Sequence, residues 1–412
     1  MLRYLACGSL LFLVLAGELS AQNWPGFRGD GQAVSDLQGL PTTWSEGDYA
    51  WRVELPGEGH AAPCVWDNKV FITSAEAEGA LRHVFCLDAK SGEEIWSRTI
   101  GHNPGTHSQK SSFASASPVC DGERVYVSFA DSGKYGLTAY TLDGDLVWRR
   151  NVGGFESEHG HGHGASPLLW KDFIFLTNDQ DGPSAMYAFD RRTGDTVWTS
   201  VRAPGDASYS TPQIIDVDGK PQLILLSKAS GITGHDPLTG TRLWHTDPLP
   251  QRSVASPSYA AGLVFATAGS GGQGRYMIGV EPTGRGDVSK THVKFDRQRE
   301  LPYVPTIIGR GENIYLWGDN GVLACLNPRS GEVHWTQRVG GTYSSSPICV
   351  DGKLYCLSEE GEAVVVDASP QFKLHGKSPL GEGSRSTPAV GHGGMYLRTF
   401  KHLACLPAAA PP

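Results

Sequence analysis

The sequence predicts an all-β protein that folds as a single eight-bladed β-propeller. The first observation behind this prediction is a recurring phrase of an apolar strand, Asp or Asn, a polar turn with Gly, and a Trp, which returns at intervals of 45 to 52 residues. The second is a small residue followed by proline, which opens a strand once per repeat. Glycine, at 52 of 412 residues, is abundant and suits many short strands joined by tight turns.

The Trp of the recurring phrase marks the last strand of each repeat. Copies read FCLDAKSGEEIW, YAFDRRTGDTVW and ACLNPRSGEVHW, and the gap of 91 residues from Trp244 to Trp335 equals two periods, so a copy near residues 278–295 has lost its Trp. We expect each Trp to lie on the outermost strand and to pack against the next blade, which makes it structural rather than ligand-stacking. The six are Trp51, Trp96, Trp148, Trp198, Trp244 and Trp335.

The proline-opened strands give the number of blades. We expect them to be innermost, and each period holds four strands, with hairpin turns such as Asp121-Gly122, which is the composition of a propeller blade. The eight openings are at Pro63, Pro118, Pro167, Pro212, Pro257, Val304-Pro305, Pro347 and Pro388.

The two ends of the repeat array predict how the ring closes. The last copy, Arg385 to Leu406, lacks an outer strand, whereas Tyr49 to Leu55 is an isolated strand that carries Trp51. Joining them completes the eighth blade and leaves no exposed ring edge. The predicted divisions are therefore an N-terminal extension at 22–48, the propeller at 49–406 and a C-terminal tail at 407–412.

The first 21 residues have the layout of a secretory signal peptide. A basic Arg3, an apolar run from Leu10 to Leu15 and small residues up to Ala21 follow one another. No later stretch approaches 18 consecutive apolar residues, so we expect no transmembrane segment. The sequence thus predicts an exported protein of the periplasm or cell envelope, or a secreted one.

The net charge of −8 bounds the choice of partners. An acidic chain offers no basic surface for nucleic acid, so we expect no nucleic-acid binding. We also expect a monomer.

The seven cysteines after residue 21 fall at repeated strand positions, such as Cys64, Cys120 and Cys349 directly after a proline. We interpret them as small buried apolar residues, with one disulfide as the alternative.

Several segments carry a resemblance to a known family. NWPGFRGDG at Asn23–Gly31, HGHGASPLLWKDFIFLTNDQDGPSAMYAFD at His161–Asp190 and STPQIIDVDGKPQLIL at Ser210–Leu225 resemble the pyrroloquinoline-quinone-like (PQQ-like) repeat proteins, BamB-like exported members above all. The resemblance covers residues 23–406 and implies a propeller like that of quinoprotein alcohol dehydrogenases. It also implies a non-catalytic scaffold that binds a protein or peptide, with a role in cell-envelope or outer-membrane protein assembly.

Polar residues precede the proline-opened strands and give the candidate ligand site. In a propeller these loops converge at one mouth of the channel, where small molecules or peptide segments bind. The candidates are His60, His107, Gln109, Lys110, His159, His161, His163, Ser208, Tyr209, Arg252, Arg299, Tyr303, Tyr343 and Arg385.

The run Glu158-His159-Gly160-His161-Gly162-His163 raises a metal-binding hypothesis. In an extended segment every second side chain shares a face, so His159, His161 and His163 could supply imidazoles to zinc or copper. The alternative is a flexible loop whose histidines hydrogen-bond to nearby backbone. The sequence offers no obvious fourth ligand.

A quinone-dependent dehydrogenase is the enzyme alternative. The resemblance implies that such an enzyme would hold PQQ with Ca²⁺, use an Asp base and commonly carry a disulfide between adjacent cysteines. This chain has no Cys-Cys pair, and we match no Glu, Asn and Asp set to the calcium ligands. We therefore assign no catalytic residue and expect no cofactor, while the question of enzymatic activity stays open.

Overall fold

The computed structural model describes residues 23–409, which form eight antiparallel β-sheets arranged as the blades of a closed ring. Innermost strands of neighbouring blades contact one another around the axis. The predicted eight-bladed, all-β architecture is confirmed. The predicted signal peptide and the last three residues of the predicted tail lie outside the described residues.

Blades 1 to 4 follow one another along the first half of the chain, each from the axis outward. Blade 1 consists of Cys64–Trp66, Lys69–Ala75, Leu81–Asp88 and Glu94–Gly101. Blade 2 consists of Val119–Cys120, Arg124–Ala130, Tyr135–Thr141 and Leu146–Asn151. Blade 3 consists of Leu168–Trp170, Phe173–Asn178, Ser184–Asp190 and Thr196–Arg202. Blade 4 consists of Gln213–Val217, Lys220–Ser227, Gly231–His235 and Arg242–His245.

Blades 5 to 8 repeat the same order. Blade 5 consists of Ser258–Ala260, Leu263–Ser270, Gln273–Val280 and Val293–Arg297. Blade 6 consists of Ile308–Arg310, Asn313–Trp317, Val322–Leu326 and Val333–Arg338. Blade 7 consists of Ile348–Val350, Lys353–Leu357, Glu362–Asp367 and Leu374–Pro379. Blade 8 consists of Ala389–Gly391, Gly394–Arg398, His402–Pro407 and, from the start of the chain, Trp51–Glu54.

The ring closes between the two ends of the chain. Trp51–Glu54 pairs antiparallel with His402–Pro407, placing Trp51 opposite Cys405. This is the predicted closure. A one-turn 3₁₀ helix, Glu46–Asp48, directly precedes the strand.

Two short strands add to the blades in parallel orientation. Val34–Ser35 pairs with the innermost strand of blade 7, and Gly286–Asp287 pairs with the outermost strand of blade 4. The first of these belongs to the segment that the sequence marks as an N-terminal extension. That segment therefore packs on the ring.

The repeated Trp residues join neighbouring blades, as predicted. Five indole N–H groups donate to a backbone carbonyl in the outer turn of the next blade, at 2.9–3.2 Å. The pairs are Trp51 with Ala89, Trp96 with Leu142, Trp148 with Arg191, Trp198 with Pro237 and Trp335 with Ser369.

The glycine of the same turn lets the Trp ring approach. Gly194 has φ of +73°, and a Cβ placed on it would lie 2.6 Å from the ring of Trp148. Gly92, Gly144 and Gly240 repeat this contact with the Trp of the preceding blade. Glycine is therefore required at this turn for its backbone conformation and for its lack of a side chain.

Trp244 joins its blade to the next one indirectly. Its indole N–H donates to the side-chain amide of Gln222 at 2.7 Å, and that amide donates in turn to the carbonyl of Pro282 in blade 5 at 2.9 Å. Gln222 thus replaces the direct contact that the other blades use.

The cysteines support the interpretation of small apolar residues. All seven in the described chain are buried, and none is in a disulfide. Burial raises the pKa of Cys86 and of Cys405 to about 12, so neither thiol ionises near neutral pH.

Candidate functional site

A ring of hydroxyl groups surrounds the axis where the innermost strands begin. Each hydroxyl accepts a hydrogen bond from the backbone N–H of the corresponding residue in the preceding blade, at 2.9–3.1 Å. These residues, here called the hydroxyl ring, are Ser117, Ser166, Thr211, Ser256, Thr306, Ser346 and Thr387.

The hydroxyl ring explains why a small residue precedes the proline at most of the predicted strand openings. It also shows that the predicted opening of blade 6 is wrong. In blade 6 the ring residue is Thr306, so the strand opening is Thr306-Ile307 and not the predicted Val304-Pro305. Blade 1 has Ala62 at this position, which has no hydroxyl. There Ser386 Oγ donates to the carbonyl of Ala61 at 2.8 Å and links blade 8 to blade 1.

The segment Trp24–Ser35, here called the plug, crosses the axis beyond the hydroxyl ring. Trp24 pairs with Val65 in blade 1, Gly31 accepts a hydrogen bond from Gln213 in blade 4, and Ala33 accepts one from Cys349 in blade 7. Because the plug contacts inner strands on opposite sides, it closes the channel at this end. Phe27 of the plug lines the floor of the cavity above it.

Arg28 fixes the plug from the inside. Its side chain is fully buried, and Nη2 donates to the carbonyl of Ile307 at 2.8 Å. Burial lowers the pKa of Arg28 to about 9. A buried guanidinium that relies on a backbone carbonyl is costly to misplace, so this contact specifies where the plug lies.

The closed channel is a cup of about 990 Å³, and most of the predicted site residues line it. Those that do are His60, Lys110, His159, His161, Tyr209, Arg252, Tyr303, Tyr343 and Arg385. His107, Gln109, His163, Ser208 and Arg299 do not line the cup. His107 instead packs edge-on against Phe113 within its own loop.

One side of the cup, near blades 7 and 8, carries two cations that share one carboxylate. Glu359 accepts hydrogen bonds from Lys110 at 2.6 Å and from Arg385 at 3.1 Å, and Ser344 donates to it at 2.7 Å. Burial opposes ionisation of Glu359, but these partners hold its pKa below the usual value. Arg385 also donates to the carbonyl of Gln109, so the loop before blade 2 is tied across the mouth.

The opposite side of the cup carries Arg252 without a counter-ion. No carboxylate in residues 23–409 forms an ion pair with Arg252, and its Nε has no hydrogen-bond partner. The guanidinium lies 6.0 Å from the ring centre of Tyr209. Burial raises the pKa of Tyr303, while the nearby Arg252 charge opposes that shift.

Burial also shifts two titratable groups of the wall. The carboxylate of Asp319 accepts from the backbone N–H groups of Tyr303 and Val304 at 2.6 and 3.1 Å, and burial nevertheless raises its pKa to about 6. Burial, helped by the Arg385 charge, lowers the pKa of His60 to about 3. At neutral pH His60 is therefore uncharged and adds no positive charge beside Arg385.

The histidine run does not form the geometry that the metal hypothesis requires. Gly160 has φ of +65°, which turns the chain between His159 and His161, so the segment is not extended as assumed. His163 is buried, and its Nε2 lies 3.2 Å from the carbonyl of Ser128. Throughout the described chain, no three His, Cys, Asp or Glu side chains are grouped to hold a metal ion.

A family known from other proteins matches most of this chain. The family is described as outer membrane protein assembly factor BamB, and it matches residues 15–154, 82–292 and 303–399. The chain belongs to this family. Within residues 23–409, no helix of this BamB family member is long and apolar enough to cross a membrane.

Individual relatives of this BamB family member differ in what their names say. Tetrathionate hydrolase of Acidithiobacillus ferrooxidans is 26% identical over 76% of the chain, which spans only 60% of that enzyme's length. BamB of Shewanella oneidensis is 22% identical over 72% of the chain and 74% of its own. The solved quinohemoprotein alcohol dehydrogenase of Comamonas testosteroni matches 94% of the chain and 81% of its own with a TM-score of 0.67, and its 13% identity shows a shared fold.

The cup's acidic residues do not suit a calcium-bound quinone. Calcium needs six to eight oxygen ligands that converge on one point. Here Glu359 is shared by Lys110 and Arg385, Asp206 pairs with Lys228 at 2.9 Å, and Asp319 accepts two backbone N–H groups. The described residues therefore provide no such set.

Sequence reasoning missed Asp319, Glu359 and the plug's Phe27. Asp319 and Glu359 follow the second strand of their blades, whereas the predicted site residues come from the loops before the innermost strands. A repeat alignment extended to the end of the second strand would have included both. Nothing in the repeat pattern indicates Phe27, because the plug lies outside the repeats.

Proposed function

We propose that this protein is an exported, non-catalytic propeller of the cell envelope that binds a protein or peptide partner in the cup. The observation that carries the proposal is Arg252, a cation without a counter-ion in a cavity closed at one end. A charged group held in a concave site without a counter-ion in its own chain is suited to a ligand of opposite charge. Relatives named as outer membrane protein assembly factors support a role in that setting.

Charge reversal of Arg252 tests the proposal. The mature chain would be immobilised, exposed to envelope extract and compared with Arg252→Glu and with Arg242→Glu. Arg242 is exposed on the outer strand of blade 4, away from the cup, so it controls for the change in net charge. We expect partners retained by wild type and by Arg242→Glu to be lost by Arg252→Glu.

One result would count against this proposal, and a second variant covers misfolding of the first. Equal retention by Arg252→Glu and wild type would remove Arg252 from the binding site. Loss of native circular dichroism in Arg252→Glu would call for Arg252→Gln, which removes the charge without introducing a buried carboxylate. Arg385 is a poorer choice, because reversing it also breaks its contacts with Glu359 and Gln109.

A second candidate function is hydrolysis of a small anion. It rests on the same uncompensated Arg252 and on the tetrathionate hydrolase relative. The test is loss of tetrathionate on incubation with the purified chain, with Arg252→Gln as the control. Turnover by wild type alone would replace the scaffold proposal.

The quinone-dependent dehydrogenase is tested by titration with PQQ and Ca²⁺. We expect no heat of binding and no dye-linked alcohol oxidation, since the acidic side chains of the cup already contact cations and N–H groups of their own chain. Tight binding with turnover would contradict both the scaffold proposal and our interpretation of the donor set.

A further inference from the structure

The cup has a single opening. The plug closes one end through contacts with blades 1, 4, 6 and 7, and Phe27 lines the floor. A polypeptide could therefore pass through the ring only by displacing the plug. An internal segment would have to enter and leave by the same mouth, with two strands side by side, whereas a chain end needs to enter only once.

The floor of the cup presents donors that its own chain does not use. In the described part of the chain, each oxygen of the hydroxyl ring accepts a backbone N–H, and none of these hydroxyls donates to a protein acceptor. A hydroxyl has one hydrogen to donate in addition to its acceptor lone pairs. Seven O–H groups thus surround the axis just above Phe27.

The charge of the cup is asymmetric above this ring. Arg252 precedes ring residue Ser256 by four positions and forms no ion pair with a carboxylate, whereas Lys110 and Arg385 share the single carboxylate of Glu359 on the far side. An incoming carboxylate would therefore meet a guanidinium that no carboxylate contacts at Arg252, whereas on the far side it would approach Glu359 together with the two cations. Hydrogen bonds to a charged group are stronger than those between neutral groups, and guanidinium pairs with carboxylate in two parallel bonds.

We propose that the partner enters the cup by its carboxyl-terminal end, with the free α-carboxylate bound by Arg252 and by O–H donors of the hydroxyl ring. This inference rests on the proposed function and adds to it the part of the partner that is bound. The shape of the cup selects a chain end, and its donors select the acidic one. A small carboxylate offers the same chemistry, so the experiment separates the two sources.

Two peptide libraries test the inference on the full mature chain. Both consist of acetylated random hexapeptides, and they differ only in ending with a free carboxylate or a carboxamide. The immobilised protein is incubated with each library, and retained peptides are quantified by mass spectrometry. Arg252→Gln is the test variant, and Arg242→Gln is the matched control on the outside of blade 4.

We expect the free-acid peptides to be retained at least about tenfold better than the amides, since one hydrogen-bonded charge pair changes the affinity by a factor of roughly ten. That preference should vanish in Arg252→Gln and persist in Arg242→Gln. Ser166→Thr, which keeps its hydroxyl, should retain the preference, and Ser166→Ala should reduce it.

The contrary outcomes are distinguishable. Equal retention of acids and amides, both dependent on Arg252, would overturn the carboxyl-terminal inference and leave the scaffold proposal standing. Retention of neither library would count against peptide binding in the cup altogether. Full displacement of the acid peptides by acetate at millimolar concentration would show that the site recognises any small carboxylate, and would overturn the inference.

Discussion

The contact between a turn glycine and the Trp of the preceding blade predicts a measurable difference between two equivalent substitutions. Gly194 and Gly331 occupy the same turn in blades 3 and 6, with φ of +73° and +77°. A Cβ on Gly194 would lie 2.6 Å from the ring of Trp148, whereas a Cβ on Gly331 would meet nothing within 4 Å, because blade 5 has lost its Trp. Gly331→Ala therefore measures the backbone conformation alone.

The magnitudes follow from the two costs. Placing alanine at a left-handed φ costs about 1–2 kcal/mol in either variant. Gly194→Ala adds the cost of overpacking between blades, about 1–3 kcal/mol. We therefore expect Gly331→Ala to lower the free energy of unfolding by about 1 kcal/mol and Gly194→Ala by about 3 kcal/mol.

Guanidinium chloride unfolding followed by Trp fluorescence would measure both variants, with comparison restricted to curves of equal slope. Gly240→Ala, which would meet Trp198 at 2.6 Å, should behave like Gly194→Ala. Equal losses for Gly194→Ala and Gly331→Ala would refute the reasoning, because they would show that the Trp ring yields without cost.

Three further predictions concern polar groups around the axis. Ser166→Ala leaves the N–H of Ser117 without its acceptor and should lower stability by about 1–3 kcal/mol in thermal unfolding, whereas Ser166→Thr should not. The folded pKa of Asp319, about 6, lies above the unfolded value of 3.8. The stability that protonated Asp319 contributes is therefore complete below pH 3.8 and is lost as pH rises through 6. Asp319→Asn should remove that pH-dependent loss of about 3 kcal/mol, measured by urea unfolding across pH 4–7. Burial lowers the pKa of His163 to about 3. The stability that the neutral imidazole contributes is therefore complete above pH 6.5 and falls as the pH drops toward 3. His163→Gln should flatten the acid side of the stability profile.

Each of these predictions has an outcome that would contradict it. Equal melting temperatures for Ser166→Ala and Ser166→Thr would show that water replaces the hydroxyl. A parallel pH profile for Asp319→Asn and wild type would place another group in control of the range between pH 4 and 6. Acid sensitivity unchanged by His163→Gln would assign that sensitivity to other histidines with lowered pKa values, such as His60.

The repeats made the fold predictable, because each blade encodes the same local features. The Trp, the turn glycine and the small residue before a strand recur at fixed positions, and a closed ring is the one arrangement that satisfies them all. The exception was blade 6, where Val304-Pro305 matches the residue-plus-proline pattern two residues before the actual strand opening at Thr306. Periodicity alone does not distinguish two candidate openings that lie so close together.

The candidate site was predictable only in part. Loops before the innermost strands supplied Arg252 and Arg385, because their place in the repeat fixes their place in the ring. The contact between Arg28 and Ile307 joins residues 279 positions apart, and no local pattern encodes it. The turn at Gly160 was also missed, since a glycine between histidines permits an extended chain and a reversed one equally well.

Closure of the ring by Trp51–Glu54 has a consequence for how the molecule folds. Trp51 pairs with Cys405, so a strand that emerges early during synthesis waits for the last strand of the described chain before its hydrogen bonds form. The plug needs inner strands of blades 1, 4, 6 and 7 at once. Contacts between residues so distant in sequence form slowly, and the open ring exposes unpaired strand edges in the meantime. The plug therefore reaches its final position only after those blades have formed, and the closed end of the cup forms last.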